Sequence, residues 1–72
     1  MQERDLLEKY TSQNKIYNIF EEHREGKFIF YAEGPDGNKI GETEADAKTV
    51  TDPSKNAAKD IINKIKGQID GI

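Results

Sequence analysis

Lysines in the last third of the chain are the residues whose spacing best suits chemistry, in this case the binding of phosphate. Lys55 and Lys59 lie one helical turn apart, and at about 100° per residue Lys66 falls in the same narrow stripe. A helix that begins here would add its N-terminal amides as further donors to an anion. Lysines that flank an apolar helix face also serve simply as a solvated border, so both interpretations stay open.

Other chemically active residues are sparse. His23 is the single histidine and lies in a polar segment, where a surface role is the more common one. It has no serine or carboxylate partner at an ordered spacing, and the chain has no cysteine. The sequence therefore predicts no enzyme, no cofactor and no metal site.

An acidic run alternates with small residues at Glu42, Glu44 and Asp46. Alternation of this kind is typical of a strand with one solvated face. A magnesium site could use such carboxylates, but it usually needs a substrate phosphate as well. The solvated face is the preferred interpretation.

Length and charge limit the possible functions. The chain has 72 residues, which predicts one small domain over residues 1–72. A domain of this size buries only about 60% of the surface of its unfolded chain, which leaves no room for a cleft between lobes. Eleven basic and fourteen acidic side chains give a net charge of −3, which argues against strong non-specific binding of nucleic acid.

The distribution of apolar residues along the chain predicts its location in the cell. The N-terminus has no apolar segment of the kind found in signal peptides, and no apolar run approaches membrane-spanning length. We therefore expect a soluble, cytoplasmic protein that does not contact membranes.

The N-terminal third predicts a helix followed by a strand. Leu6, Leu7 and Tyr10 fall at i, i+1 and i+4, which places them on one side of a helix over residues 4–13. Asn14 is a suitable residue for the helix exit. Residues 16–22 are rich in β-branched and aromatic side chains, which favours a strand.

The middle of the chain predicts two more strands. Residues 23–26 are polar and end in glycine, which indicates a hairpin connection to a strand over residues 27–33. Both faces of that strand are apolar, so we expect it at the centre of the sheet. Residues 34–38 contain proline and glycine at turn positions, and the alternation over residues 39–50 favours a further strand.

The end of the chain predicts a second helix. Asp52 can cap it, and Pro53 suits its first position. Gly67 is a candidate for its end. Its apolar face recurs at three and four residues and consists of Ala58, Ile61, Ile62, Ile65 and Ile69.

These elements predict an α+β domain of order α-β-β-β-α, in which two helices pack on one face of a three-stranded antiparallel sheet. A β-β-β-α module, with the first helix as an appendage, is the alternative fold.

Three segments resemble the double-stranded-RNA-binding domain. Leu6-Leu7-Glu8-Lys9-Tyr10, followed by Gln13-Asn14, is similar to the first helix of that family. Ile40-Gly41-Glu42 lies where the third strand of that family often begins. Ser54-Lys55-Asn56-Ala57-Ala58-Lys59 resembles the family's Ser-Lys-Lys-x-Ala-Lys signature, with asparagine in place of the second lysine.

The resemblance implies a small, non-catalytic module that binds double-stranded RNA. Lys55, Lys59 and Lys66 would contact phosphates across the major groove. Glu8 and Thr11 would face 2′-hydroxyl groups, and His23 would enter the other minor groove.

A protein-interaction module of the same fold, without RNA binding, is the alternative function. Its acidic character would suit a basic partner. Dimerisation through the sheet face that the helices leave open is a second form of this alternative function. If Tyr17, Ile19, Ile29 and Tyr31 lie on that face, they form an apolar patch that favours a protein partner.

Overall fold

A computed structural model describes residues 3–72, and in it all the strands precede the helices. The strands are β1 (Arg4–Ser12), β2 (Lys15–Arg24), β3 (Lys27–Glu33) and β4 (Lys39–Asp46). They form one antiparallel sheet in the order β1-β2-β3-β4. Two helices follow, α1 (Ala47–Val50) and α2 (Ala57–Asp70), and α2 packs on one face of the sheet. We call the face opposite α2 the open sheet face.

The predicted α-β-β-β-α order is wrong, because residues 4–12 form a strand and the sheet has four strands. A bulge explains the misleading pattern. The pairing of β1 with β2 shifts between Leu6 and Glu8, so the alternation of faces changes phase at Leu7. Leu6, Leu7 and Tyr10 therefore imitate helical spacing while lying on a strand.

The β1–β2 connection explains why no helix ends at Asn14. Gln13 and Asn14 have φ values of 51° and 64°, and they are the only two residues between the strands. Positive φ at both positions is the signature of the two-residue turn that best matches the twist of a hairpin.

Three predicted boundaries at the end of the chain also differ from the structure. The closing helix does not end at Gly67 but continues to Asp70. The strand expected over residues 39–50 ends at Asp46, and its last four residues form α1. The closing helix begins at Ala57 because Asp52 does not cap it. Instead, Asp52 Oδ1 accepts hydrogen bonds from the amide and the hydroxyl of Ser54, at 2.9 and 2.7 Å, and holds a turn before the helix.

The core lies between α2 and one face of the sheet. Ile65 and Ile69 of α2 are buried against Tyr17, Ile19, Phe30 and Ala32 of the central strands. The predicted apolar stripe is confirmed, since Ala58, Ile61 and Ile62 also pack against this cluster. Each fully buried isoleucine contributes roughly 1.5–3 kcal/mol to folding.

A glycine in β4 allows α2 to approach the sheet closely. Gly41 has a φ of 68° and lies at the second bulge, where β4 shifts its register against β3. A Cβ atom at this position would be 3.3 Å from Ile65 Cγ1 and 3.3 Å from Gln68 Oε1. Both the backbone conformation and the packing therefore require glycine.

Side-chain hydrogen bonds fasten the end of α2 to the edge strand β1. The Tyr10 hydroxyl donates to Asp70 at 2.8 Å, and the Ser12 hydroxyl donates to the same carboxylate at 2.9 Å. The bond to Asp70 raises the pKa of Tyr10. Within residues 3–72, no helix has both the length and the apolar content needed to cross a membrane.

Candidate functional site

The amino end of α2, which we define as residues 55–59, is the candidate site. Asn56 precedes the helix in the left-handed conformation, with φ at 50°, and its side chain makes no capping hydrogen bond. The first helical bond runs from the Asp60 amide to the Asn56 carbonyl at 3.1 Å. The amides of residues 57–59 therefore have no acceptor inside the helix and can bind an anion.

The lysines around α1 and α2 differ from most cations of the sheet. In the sheet, Arg4, Arg24, Lys27 and Lys39 form ion pairs with carboxylates. Four exposed lysines near the helices form no ion pair with any residue from 3 to 72, namely Lys48, Lys55, Lys59 and Lys64. Their ammonium groups are therefore available to an external anion.

Charge is divided unequally between the sheet and the segment that carries the two helices. Residues 3–46 carry six basic and eleven acidic side chains, a net charge of −5. Residues 47–72 carry five basic and three acidic side chains, a net charge of +2. Asp60, in the first turn of α2, opposes this positive charge, and the hydrogen bonds from Ser54 hold the pKa of Asp52 below its ordinary value. The helical layer is nevertheless the positive side of an acidic molecule.

Two of the residues that the RNA interpretation assigns to binding contact each other. Lys66 Nζ lies 2.5 Å from Glu8 Oε2, and it also lies 5.4 Å from the centroid of the Tyr10 ring. Glu8 belongs to a strand and not to a helix. Lys66 and Glu8 therefore fasten α2 to β1 and neutralise each other.

The other four residues of the RNA interpretation do not form one group. Lys55 precedes α2 and Lys59 lies in its first turn, so both belong to the amino end of α2. Thr11 follows Tyr10, which packs against the core, so strand alternation places Thr11 on the open sheet face. His23 lies near the end of β2, with its Nε2 atom 2.5 Å from Glu21 Oε1. Thr11 therefore lies on the opposite side of the sheet from α2 and its lysines.

The open sheet face does not present the apolar patch that the alternative function requires. Tyr17 and Ile19 lie in the core under α2. Ile29 and Tyr31 lie on the open sheet face, yet they are only 3% and 1% exposed. Long charged side chains cover this face, since Lys39 Nζ lies 4.7 Å from the centroid of the Tyr31 ring.

A network of hydrogen bonds links these charged groups through Tyr31. The Arg4 guanidinium donates to the Tyr31 hydroxyl at 3.2 Å and to Glu33 at 3.0 Å, and it lies 4.0 Å from the centroid of the Phe20 ring. The Tyr31 hydroxyl donates to Glu22 at 3.0 Å. The network pairs these charged groups with one another over the open sheet face.

Glu22 is the buried acid of this network, at 7% exposure. Arg24 Nη2 donates to its carboxylate at 2.8 Å. That bond lowers the pKa of Glu22; burial opposes the shift, and the bond from Tyr31 adds to it. Glu22 was not predicted from the sequence, although strand alternation alone places Glu22 and Arg24 on the same face.

The acidic run of β4 is held by lysines. Lys27 lies 3.3 Å from Glu44 and 3.6 Å from Asp46, and Lys39 lies 3.8 Å from Glu42. The hydrogen bond to Glu44 raises the pKa of Lys27. All three carboxylates are exposed, as expected of a solvated strand face.

Comparisons with protein-family models, with curated proteins and with solved structures found no match to this chain.

Proposed function

We propose that this chain is a small, non-catalytic module that binds the phosphate backbone of a nucleic acid at the amino end of α2. The observation that carries the proposal is the position of Lys55 and Lys59. Both are exposed, make no ion pair within residues 3–72, and flank a helix start without a side-chain cap. A phosphate there would accept hydrogen bonds from the amides of residues 57–59 and meet the positive end of the helix dipole.

Double-stranded RNA remains the preferred nucleic acid, and its support is the similarity of residues 54–59 to the lysine signature of the RNA-binding family. The geometry supports only the phosphate contacts, because Glu8 pairs with Lys66 and Thr11 lies on the open sheet face. Two lysines imply about two phosphate contacts. We therefore expect a salt slope of about −2 and a dissociation constant of roughly 10⁻⁴–10⁻⁶ M.

Binding of a protein through the open sheet face is less well supported. Ile29 and Tyr31 are covered. Within residues 3–72, the large apolar residues exposed on this face are Leu6 and Ile16, which are separate. Single exposed apolar residues are common on protein surfaces and indicate no interface. The experiment on RNA binding therefore also measures association of the protein with itself.

Fluorescence anisotropy with a labelled RNA duplex of about 16 base pairs tests the proposal. The titration is made at about 20 mM and about 200 mM salt, and a DNA duplex of the same sequence separates the two nucleic acids. The variant Lys55→Gln/Lys59→Gln removes the proposed contacts. The matched control is Lys9→Gln/Lys15→Gln, which removes two exposed lysines of the β1–β2 hairpin that also form no ion pair within residues 3–72.

We expect salt-dependent binding that the Lys55/Lys59 variant loses and the control variant keeps. Equal losses in both variants would show attraction to overall charge and would contradict the site. An absence of binding at the lower salt concentration would overturn the proposed function. Self-association detected by sedimentation, without RNA binding, would favour the interaction module instead.

A further inference from the structure

The register of the first hairpin places three potential metal ligands on one face of the sheet. Asp5 of β1 lies directly opposite Glu21 of β2. His23 is two residues beyond Glu21 on the same strand, so its side chain points to the same face. From these three residues, which two paired strands hold in place, we propose a binding site for a divalent transition-metal ion such as Zn²⁺.

The distances suit coordination of one ion. One ligand atom from each of the three residues lies within 4.8 Å of the other two. His23 Nε2 lies 2.5 Å from Glu21 Oε1 and 3.8 Å from Asp5 Oδ2. Zinc bonds of about 2.0–2.2 Å bring neighbouring ligand atoms to roughly 3–3.4 Å from one another. Small rotations of the carboxylates would therefore create the site without movement of the backbone.

The histidine ring is already oriented. It stacks on Phe28, with ring centroids 4.1 Å apart and an interplanar angle of 6°. Phe28 in turn packs against the core, so the imidazole rests on a fixed surface. The Glu21 side chain is only 13% exposed, whereas Asp5 is open to solvent. Two of the three ligands are thus restrained before the ion binds, which lowers the entropic cost of binding.

The chemical type of the ligands selects the class of ion. Imidazole suits zinc, copper, iron and nickel, whereas calcium and magnesium prefer oxygen ligands alone. Two carboxylates would balance the charge of a divalent ion. Three protein ligands leave at least one coordination position for water or an external donor. None of the three ligands belongs to the amino end of α2, and the inference does not rest on the proposed function.

Isothermal titration of the complete chain with Zn²⁺, without an affinity tag, tests the inference, and absorption spectra with Co²⁺ report the ligand set. We expect saturation at one ion per chain. His23→Gln should weaken binding by at least about tenfold. The matched control is Glu42→Gln/Glu44→Gln, which removes two exposed carboxylates of β4 that have no histidine beside them and should leave binding unchanged.

Paramagnetic broadening of amide signals by Co²⁺ locates the ion in the unaltered protein, so the test does not depend on the folding of a variant. We expect broadening centred on residues 5, 21 and 23. The inference is overturned if binding does not saturate, if His23→Gln binds as tightly as the original chain, or if the broadening centres on the carboxylates of β4.

Discussion

The ammonium group of Lys66 on α2 lies 2.5 Å from the carboxylate of Glu8 on β1, and this ion pair joins the helix to an edge strand. Its partners are 58 positions apart in the sequence. The pair gives Lys66 a structural role that Lys59, two helical turns earlier on the same side of α2, does not have. The two lysines should therefore respond differently to substitution.

Replacement of single lysines in α2 should change RNA binding unequally. Lys59→Gln should reduce the magnitude of the salt slope by about 1, because it removes one phosphate contact. Lys66→Gln should change the slope less, since Glu8 already neutralises that ammonium group. Anisotropy titrations at several salt concentrations measure both slopes. A larger effect of Lys66→Gln would contradict the assignment.

Gly41→Ala should destabilise the protein more than Gly37→Ala. Both glycines have positive φ, at 68° and 85°, so each alanine incurs about 1–2 kcal/mol of backbone strain. Only at Gly41 would the new Cβ meet other atoms, those of Ile65 and Gln68 at 3.3 Å. Urea unfolding of both variants measures the difference, and equal losses of stability would show that α2 does not depend on this close approach.

Ile65→Ala should cost about 2–5 kcal/mol, because the side chain is fully buried at the centre of the core. In a domain of this size such a loss should lower the melting temperature strongly. Ile72→Ala, at an exposed position, should change stability by no more than about 0.5 kcal/mol. Calorimetry of both variants provides the comparison. Similar melting temperatures for the two would contradict the described core.

Glu22→Gln should lower the free energy of unfolding at neutral pH by about 1–3 kcal/mol, since it removes a charged hydrogen bond to Arg24. The pKa of Glu22 lies below its ordinary value of 4.5 in the folded protein. Its contribution to stability is therefore complete above that value and is lost as the pH falls through the lowered pKa.

The difference in the free energy of unfolding between the original chain and Glu22→Gln should consequently shrink under acidic conditions. Urea unfolding at neutral pH and under acidic conditions tests this sign. Glu42→Gln is the control, because that carboxylate is exposed and its nearest lysine nitrogen is 3.8 Å away. A difference that grows as the pH falls would contradict the role of Glu22.

The sequence predicts the elements whose periodicity is regular. The strand Lys27–Glu33, the turn after it and the apolar stripe of the closing helix agree with the structure. The first element was predicted wrongly, because the bulge at Leu7 breaks the two-residue period. The start of α2 was predicted too early, because Asp52 bonds to Ser54 instead of capping the helix.

Only those parts of the candidate site that are close in sequence were predictable. Lys55 and Lys59 are close in sequence, so a local pattern is enough to place them at one helix start. The pairing of Glu8 with Lys66, and the grouping of Asp5, Glu21 and His23, depend on strand register and helix docking. Those relationships arise only when distant segments pack together, and no local pattern contains them.

Chemical-shift mapping of the amide signals during titration with an RNA duplex of about 16 base pairs is the sharpest test of phosphate binding at the amino end of α2. The largest shifts should fall on residues 55–59, and they should diminish as salt is added. Shifts centred on Phe20 and Tyr31 of the open sheet face, or no shifts at saturating RNA, would contradict it.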